Sequence, residues 1–80
     1  MQTDSFHMFQ KQLGAHLGSI RKSKGYSQEH VGSLLDMDRV SIGYIEQGKR
    51  APKLSTLYKL AHIYEVDVKT LFDFEHGTLN

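Results

Sequence analysis

The sequence contains no cysteine, no tryptophan and a single proline, Pro52. Without cysteine the chain has no disulfide and no thiolate metal site, which suits a reducing, cytoplasmic compartment. No apolar run approaches the ~20 residues that a helix needs to cross a bilayer, and the N-terminal residues lack the pattern of a secretory signal. We therefore expect one soluble, unprocessed domain that spans residues 1–80.

Motifs of catalysis and metal binding are also missing. The sequence has no phosphate-binding glycine loop, no nucleophile motif, and no pair of acids beside a nucleophile. The sequence contains five histidines, His7, His16, His30, His62 and His76. No two of them are four residues apart, and none belongs to an HExxH motif. We expect no enzymatic activity, no cofactor, no metal site and no small-molecule ligand.

The net charge of +1 hides an uneven distribution. Residues 11–53 carry eight basic and four acidic side chains, which leaves four positive charges in surplus. Residues 54–80 carry two basic and four acidic side chains, which leaves two negative charges in surplus. This distribution favours a polyanion-binding surface in the first part of the chain and another contact at its C-terminal end, unless the charges are merely solvated.

Apolar residues recur at helical spacing along most of the chain. The first stripe consists of Phe6, Phe9, Leu13, Leu17 and Ile20. It predicts a helix from about residue 6 to residue 24. Ser5 or Asp4 can cap the start of this helix, and Gly25 marks its end.

Four further helices follow from the same pattern. Ser27 caps the second, which ends near Asp36, and Asp38 caps the third, which stops at Gly48. The fourth runs from about residue 54 to residue 64, and a short fifth helix lies around residues 71–72. Residues 1–5 and 76–80 are predicted tails. The predicted fold is therefore an all-α bundle of five helices without strands.

Two short helices joined by a tight turn and followed by a basic loop are typical of a helix-turn-helix. Residues 13–72 resemble the phage repressor and Cro-type, or Xre-type, helix-turn-helix family. The resemblance is carried by "GYSQEHV", "IEQGKRAP", "LYKLAHIYEVDVKTLF" and the 25-residue spacing between Arg21 and Glu46. It implies the lambda-repressor-like fold of a DNA-binding transcriptional regulator, with the second and third helices forming the helix-turn-helix.

Four positions differ from the usual family pattern. One of them, Lys53, stands where a serine N-cap is frequent, so the fourth helix is expected to begin a residue or two late. Gly18 stands where a long polar residue is common, and Gly32 stands where alanine is usual. Asp36 replaces the glycine of the turn, and we expect it to adopt the left-handed conformation at some cost.

The resemblance also implies roles for individual residues. Arg21 and Glu46 would form a partly buried salt bridge between the first and third helices, although a solvated surface pair is the alternative. Arg39, Val40 and Tyr44 would contact base edges in the major groove of double-stranded DNA. The residues expected to contact the DNA backbone are Gln28, Ser27, Ser41, Lys49 and Arg50.

Some of these roles leave an alternative open. Val40 could instead pack partly into the core, and the ring of Tyr44 could lie over lysine or arginine stems. Gly43 is expected on the outward face of the third helix, where its missing side chain would let the backbone approach DNA closely.

One recognition helix covers few base pairs, so family members bind pseudo-palindromes as homodimers. The apolar C-terminal end is our expected dimer surface, formed by Tyr64, Val66, Leu71, Phe72 and Phe74. At least one of Leu71 and Phe72 is expected to close the core of the same chain instead.

The resemblance implies an autoregulatory repressor or a restriction–modification controller, located with the bacterial or phage nucleoid in the cytoplasm. The alternative is an antitoxin-like protein-interaction module that sequesters a partner protein. An exposed apolar surface left uncovered in the homodimer would favour this alternative.

Overall fold

A computed structural model describes the backbone of residues 3–75 and the side chains of residues 5–75. Within this range the chain forms four α-helices and one 3₁₀ helix, and it contains no strand. The elements are α1 (Thr3–Ser23), α2 (Gln28–Leu35), α3 (Arg39–Glu46), α4 (Leu54–Tyr64) and the 3₁₀ helix Val68–Phe72. The all-α class is confirmed for these residues, and the predicted tail at residues 76–80 lies outside them.

The predicted fifth helix is a 3₁₀ helix, so the count of five α-helices is corrected to four. Thr70 N donates to Asp67 O at 2.9 Å and Asp73 N donates to Thr70 O at 3.2 Å, each bond spanning three residues. The element has five residues, and 3₁₀ helices typically occur as such short pieces. The β-branched side chains of Val68 and Thr70 also lower its helix propensity.

Helix α1 begins at Thr3, earlier than the predicted residue 6. Neither glycine nor proline interrupts the sequence before Phe6, so the helix continues toward the N-terminus. Residues 4 and 5 therefore lie inside α1, and their predicted role as N-caps is wrong. The other end agrees with the prediction, since Gly25 has a φ of 82° and follows the last turn.

Two side chains fix the starts of α2 and α3. The Ser27 hydroxyl accepts a hydrogen bond from His30 N at 3.0 Å, and the Asp38 carboxylate accepts one from Ser41 N at 2.7 Å. Between the two helices, Asp36 has a φ of 57°, in the left-handed region. Both predicted caps and the predicted conformation of Asp36 are confirmed.

The turn between α2 and α3 lies directly against Gly32. A Cβ at residue 32 would stand 2.5 Å from the carbonyl oxygen of Met37, and Met37 N donates to Gly32 O at 2.8 Å. The alanine that is usual at this position in the family would therefore require the turn to move. Glycine sets the close approach of the two helices here.

The core collects the apolar stripes of all four helices and one residue of the 3₁₀ helix. Its buried members are Leu13, Leu17, Ile20, Val31, Ile42, Ile45, Leu57, Leu60, Ala61, Tyr64 and Leu71. Tyr64 and Leu71 are among the most deeply buried, at 1% and 0% exposed. The prediction that these two lie at the dimer surface is wrong, because both side chains are buried in the core of their own chain. Leu71 thereby closes the core, as the sequence analysis expected of at least one of Leu71 and Phe72.

Aromatic contacts tie the C-terminal end to α1. The Phe9 ring stacks on Phe72 with centroids 6.4 Å apart and contacts Phe74 at 5.6 Å. A ring nitrogen of His16, Nε2, lies 2.9 Å from the Thr70 carbonyl oxygen. Phe72 and Phe74 are therefore partly buried within their own chain.

No helix within residues 3–75 combines the length and the apolar character required for crossing a membrane.

Candidate nucleic-acid interface

Helix α1 supports the C-terminal end of α3 through closely packed glycines. A Cβ at Gly14 would overlap the Ile45 carbonyl oxygen and lie 2.8 Å from that of Glu46. A Cβ at Gly18 would lie 3.1 Å from the Glu46 Oε1 atom. Because Gly14 and Gly18 are four residues apart, they share one face of α1. The bare face of this helix admits the last turn of α3 and the Glu46 carboxylate.

The loop after α3 is held by the same face of α1. Gln10 Nε2 donates to the Gly48 carbonyl oxygen at 2.8 Å. Gly48 has a φ of 76°, and a Cβ there would lie 2.6 Å from Lys11 Cα. Glycine at residue 48 is thus required both by its backbone conformation and by the close approach of α1.

The structure joins Arg21 and Glu46 in a bidentate ion pair. Arg21 Nε donates to Glu46 Oε2 at 2.7 Å, and Arg21 Nη2 donates to Glu46 Oε1 at 3.0 Å. The two side chains are 9% and 11% exposed, so this is not the solvated surface pair of the alternative. The hydrogen bond that Arg21 donates to Glu46 raises the pKa of Arg21 above its ordinary value.

Two more groups join this ion pair. Arg21 Nη1 donates to the Tyr26 carbonyl oxygen at 2.7 Å, and Gln28 Nε2 donates to Glu46 Oε1 at 3.0 Å. Residues of α1, α2, α3 and the α1–α2 connection therefore meet at one carboxylate and one guanidinium. This network fixes the angle at which α3 leaves the body of the protein.

The outward face of α3 presents Arg39, Val40 and Tyr44. Arg39 is exposed, Val40 is 51% exposed and Tyr44 is 40% exposed. The opposite face carries Ile42 and Ile45, which are buried in the core. Val40 therefore does not pack into the core, which was the alternative prediction for this side chain.

Basic side chains from the loop fold back onto this outward face. The Arg50 guanidinium carbon lies 5.4 Å from the centroid of the Tyr44 ring, and Lys49 Nζ lies 5.9 Å from it. Arg50 Nη1 also donates to the Ser41 hydroxyl at 3.1 Å. The Tyr44 ring thus contacts basic side chains, as its alternative prediction states, while it remains partly exposed.

Asp38 caps α3 and also feels the positive charge of Arg50. Its hydrogen bonds with Ser41 lower the pKa of the Asp38 carboxyl below its ordinary value, and the positive charge of Arg50 acts in the same direction. The carboxylate stays ionised at neutral pH, where it caps the N-terminus of α3.

Gly43 does not lie on the outward face of α3, which corrects the predicted placement. The residue is buried, and a Cβ there would point toward the Gln28 side chain, 3.7 Å from its Oε1 atom. The next nearest group is the Gln47 amide nitrogen, at 3.8 Å. The space above Gly43 is therefore occupied by Gln28, and the expected clearance for DNA is not at this residue.

The sequence interpretation missed the role of Gly14 and Gln10, and it missed the bond between Gln28 and Glu46. The Gly-x-x-x-Gly spacing of residues 14 and 18 was the available signal for a close helix contact. The hydrogen bonds of Gln10 and Gln28 span 38 and 18 residues, and no local pattern marks such partners.

The helix-turn-helix geometry agrees with comparisons to known proteins. The model of the HTH_3 helix-turn-helix family matches residues 17–71. The prophage-derived HTH-type transcriptional regulator YonR of Bacillus subtilis is 40% identical over 65 residues, which are 81% of this chain and 60% of YonR. The HTH-type transcriptional regulator PuuR of Escherichia coli is 36% identical over 59 residues, which are 74% of this chain and 32% of PuuR. The chain therefore spans less than two thirds of the length of either relative.

Solved structures show the same likeness. The restriction-modification controller protein C.AhdI from Aeromonas hydrophila superposes with a TM-score of 0.77 at 32% identity, covering 82% of this chain and 96% of the controller. The BldD DNA-binding domain of S. venezulae gives a TM-score of 0.69 at 37% identity, covering 79% of this chain and 94% of that domain. The chain belongs to the HTH_3 (Xre-type) family of helix-turn-helix DNA-binding transcriptional regulators.

Proposed function

We propose that this regulator inserts α3 into the major groove of a specific operator, with Arg39, Val40 and Tyr44 at the base edges. The single observation that carries the proposal is the outward face of α3, where these three side chains stand exposed above a buried opposite face. A major groove about 12 Å wide admits one helix presented in this way. Arginine is suited to bidentate contact with guanine, and a valine methyl is suited to contact with the thymine methyl group.

Backbone phosphates are contacted by the rim of the same surface. The proposed residues are Gln28, Ser27, Ser41, Lys49 and Arg50. Ser27 accepts the α2 cap bond and keeps its hydroxyl hydrogen for a phosphate oxygen. Arg50 and Lys49 already lie beside α3 in the free protein, so their ordering costs less when DNA binds.

The operator is proposed to be a pseudo-palindrome bound by a homodimer. An eight-residue recognition helix contacts too few base pairs to select one site alone, and a two-fold dimer doubles the sequence that is read. The regulator is proposed to act on its own promoter, as a repressor or as a controller. The similarity to a prophage-derived regulator, a phage control-region protein and a restriction–modification controller supports this proposal.

The proposed dimer surface moves from the C-terminal end to the start of α4. Leu54 and Tyr58 are 79% and 65% exposed and lie one turn apart on α4. Leu34 of α2 lines the same groove as Tyr58. By contrast, Val66, Phe72 and Phe74 pack partly against the core of their own chain.

In vitro selection of bound DNA from a random pool tests the proposal. We expect enrichment of two inverted half-sites whose centres lie about one helical turn, ~34 Å, apart. Binding to the selected DNA should weaken steeply as the salt concentration rises, because phosphate contacts release counterions. Recovery of no common sequence, or of a single half-site without symmetry, would contradict the proposed operator.

A further inference from the structure

The Gln28 side chain stands between the protein and the proposed phosphate contact. It begins α2, is partly buried, and donates from Nε2 to Glu46 Oε1 at 3.0 Å. The same Glu46 carboxylate accepts two hydrogen bonds from Arg21. The position of Gln28 is therefore linked to the ion pair that joins α1 and α3.

The chemistry of the carboxylate fixes the orientation of the Gln28 amide. An ionised carboxylate only accepts hydrogen bonds, so it must face the NH₂ group of the amide and not its carbonyl oxygen. One N–H of Nε2 is then used by Glu46, and the second has no partner in the described chain. A phosphate oxygen likewise only accepts, so the remaining N–H is the group that can bind it.

The Gln28 amide lies beside the position that a Cβ of Gly43 would occupy. A Cβ at residue 43 would lie 3.7 Å from Gln28 Oε1 and 3.9 Å from Gln28 Nε2, in ordinary contact. The amide is held at one side by its hydrogen bond to Glu46. A free glutamine side chain loses considerable rotamer freedom when it is ordered, and here most of that freedom is already lost before DNA arrives.

From this geometry we infer that Glu46 is a positioning residue for DNA binding, which holds the Gln28 amide so that its second N–H meets a backbone phosphate. The inference rests on the proposed function and assigns Glu46 a role beyond its ion pair with Arg21. Glu46 itself does not contact DNA. Gln28 bridges two anions, the carboxylate of the protein and the phosphate of the operator, with one N–H for each.

A double-mutant cycle tests the coupling between these residues. The proteins are the wild type, Gln28→Ala, Glu46→Ala and the double variant, titrated with the selected operator at a temperature where circular dichroism shows all four folded. We expect Gln28→Ala to weaken binding by about tenfold in the wild type, the worth of a charge-assisted hydrogen bond. It should weaken the Glu46→Ala variant by less than about twofold, because no acceptor at residue 46 then holds the Gln28 amide. Equal losses in both backgrounds would overturn the inference.

Modified DNA gives a second test that leaves the ion pair intact. Each operator phosphate is replaced in turn by an uncharged methylphosphonate, and binding of the wild type is compared with that of Gln28→Ala. We expect one phosphate in each half-site at which the replacement weakens the wild type but not Gln28→Ala. If Gln28 does not contact a phosphate, Gln28→Ala will lose affinity at the same replaced phosphates as the wild type. This outcome would overturn the inference.

Lys49→Ala separates this inference from the proposed function. If the wild type binds the selected operator and Lys49→Ala binds it less tightly, the proposed function is supported. This holds whatever the double-mutant cycle of Gln28 and Glu46 gives. If the cycle on that operator is additive, only the positioning role of Glu46 is overturned. If no DNA is selected at all, the proposed function fails, and the positioning role fails with it.

Discussion

Gly14 of α1 lies so close to Glu46 of α3 that a Cβ at residue 14 would stand 2.8 Å from the Glu46 carbonyl oxygen. The neighbouring Ile45 carbonyl is closer still, and both groups belong to the backbone of α3. Backbone atoms cannot rotate away as the end of a side chain can. The identity of residue 14 therefore sets the distance between α1 and the helix that carries the proposed base contacts.

Gly14→Ala should destabilise the protein, although alanine is the better helix former. The added methyl group must push α1 away from α3, and overpacking of this kind costs about 1–3 kcal/mol. Chemical denaturation monitored by circular dichroism measures the change in the free energy of unfolding. A variant as stable as the wild type would mean that the two helices separate without cost.

Gly43→Ala is the matched control, since it replaces a second buried glycine inside a helix. Its Cβ would meet Gln28 and Gln47 at ordinary contact distances of 3.7–3.9 Å. We expect an increase in stability of about 1 kcal/mol from helix propensity alone. Operator affinity should change by less than about twofold, because the methyl group points toward Gln28 and not toward DNA. A large loss of affinity would restore the clearance role that the sequence suggested for Gly43.

Tyr64 should make the protein sensitive to alkali. Burial raises the pKa of its phenol far above the ordinary 10.0, and the nearby Glu46 charge acts in the same direction. Above about pH 10 the unfolded chain releases this proton while the folded chain keeps it, so stability is full below that pH and falls as the pH rises. The loss approaches about 1.4 kcal/mol for each pH unit.

Chemical denaturation at about pH 9 and about pH 11 measures this effect as a difference in the free energy of unfolding. Tyr64→Phe should reduce the loss of stability between the two conditions. Tyr58→Phe, which removes a hydroxyl from an exposed ring, is the control and should leave the loss unchanged. An unchanged loss in Tyr64→Phe would show that other groups cause the alkaline sensitivity.

Tyr58→Glu should convert the proposed dimer into a monomer. The substitution places a charge in the exposed apolar surface formed with Leu54 and Leu34, where pairing would bury it without a partner. Sedimentation velocity at micromolar concentration reports the oligomeric state. Phe74→Ser, at the C-terminal end, should leave the dimer intact, and the reverse result would return the interface to that end.

The sequence predicted those features that depend on neighbours along the chain. Ser27 and Asp38 cap helices three residues away, and Gly25 ends α1 through its own backbone conformation. These relations involve one turn of helix, so local patterns reveal them. The start of α1 was missed because no residue forces a helix to begin at one position when the preceding residues also permit it.

Features that depend on distant contacts were harder to predict. The sequence indicates that Leu71 or Phe72 closes the core, but only the packed bundle shows that Tyr64 is buried there as well. Gly43 illustrates the same point, since its direction depends on how α3 is rotated against α2. Only the Arg21–Glu46 pair could be inferred over such a distance, and that inference came from resemblance and not from spacing alone.

Arg39 and Lys49 should affect DNA binding in different ways. Arg39→Ala should cost about 1–3 kcal/mol on the selected operator and flatten the preference at one base-pair position, because a bidentate contact to guanine is lost. Lys49→Ala should weaken binding to all sequences alike and reduce the slope of log affinity against log salt by about one. Titrations of the operator and its single-base variants at two salt concentrations distinguish the two patterns. If Arg39→Ala instead weakens every sequence equally, Arg39 contacts phosphate, and the direct reading of bases must lie with Val40 and Tyr44.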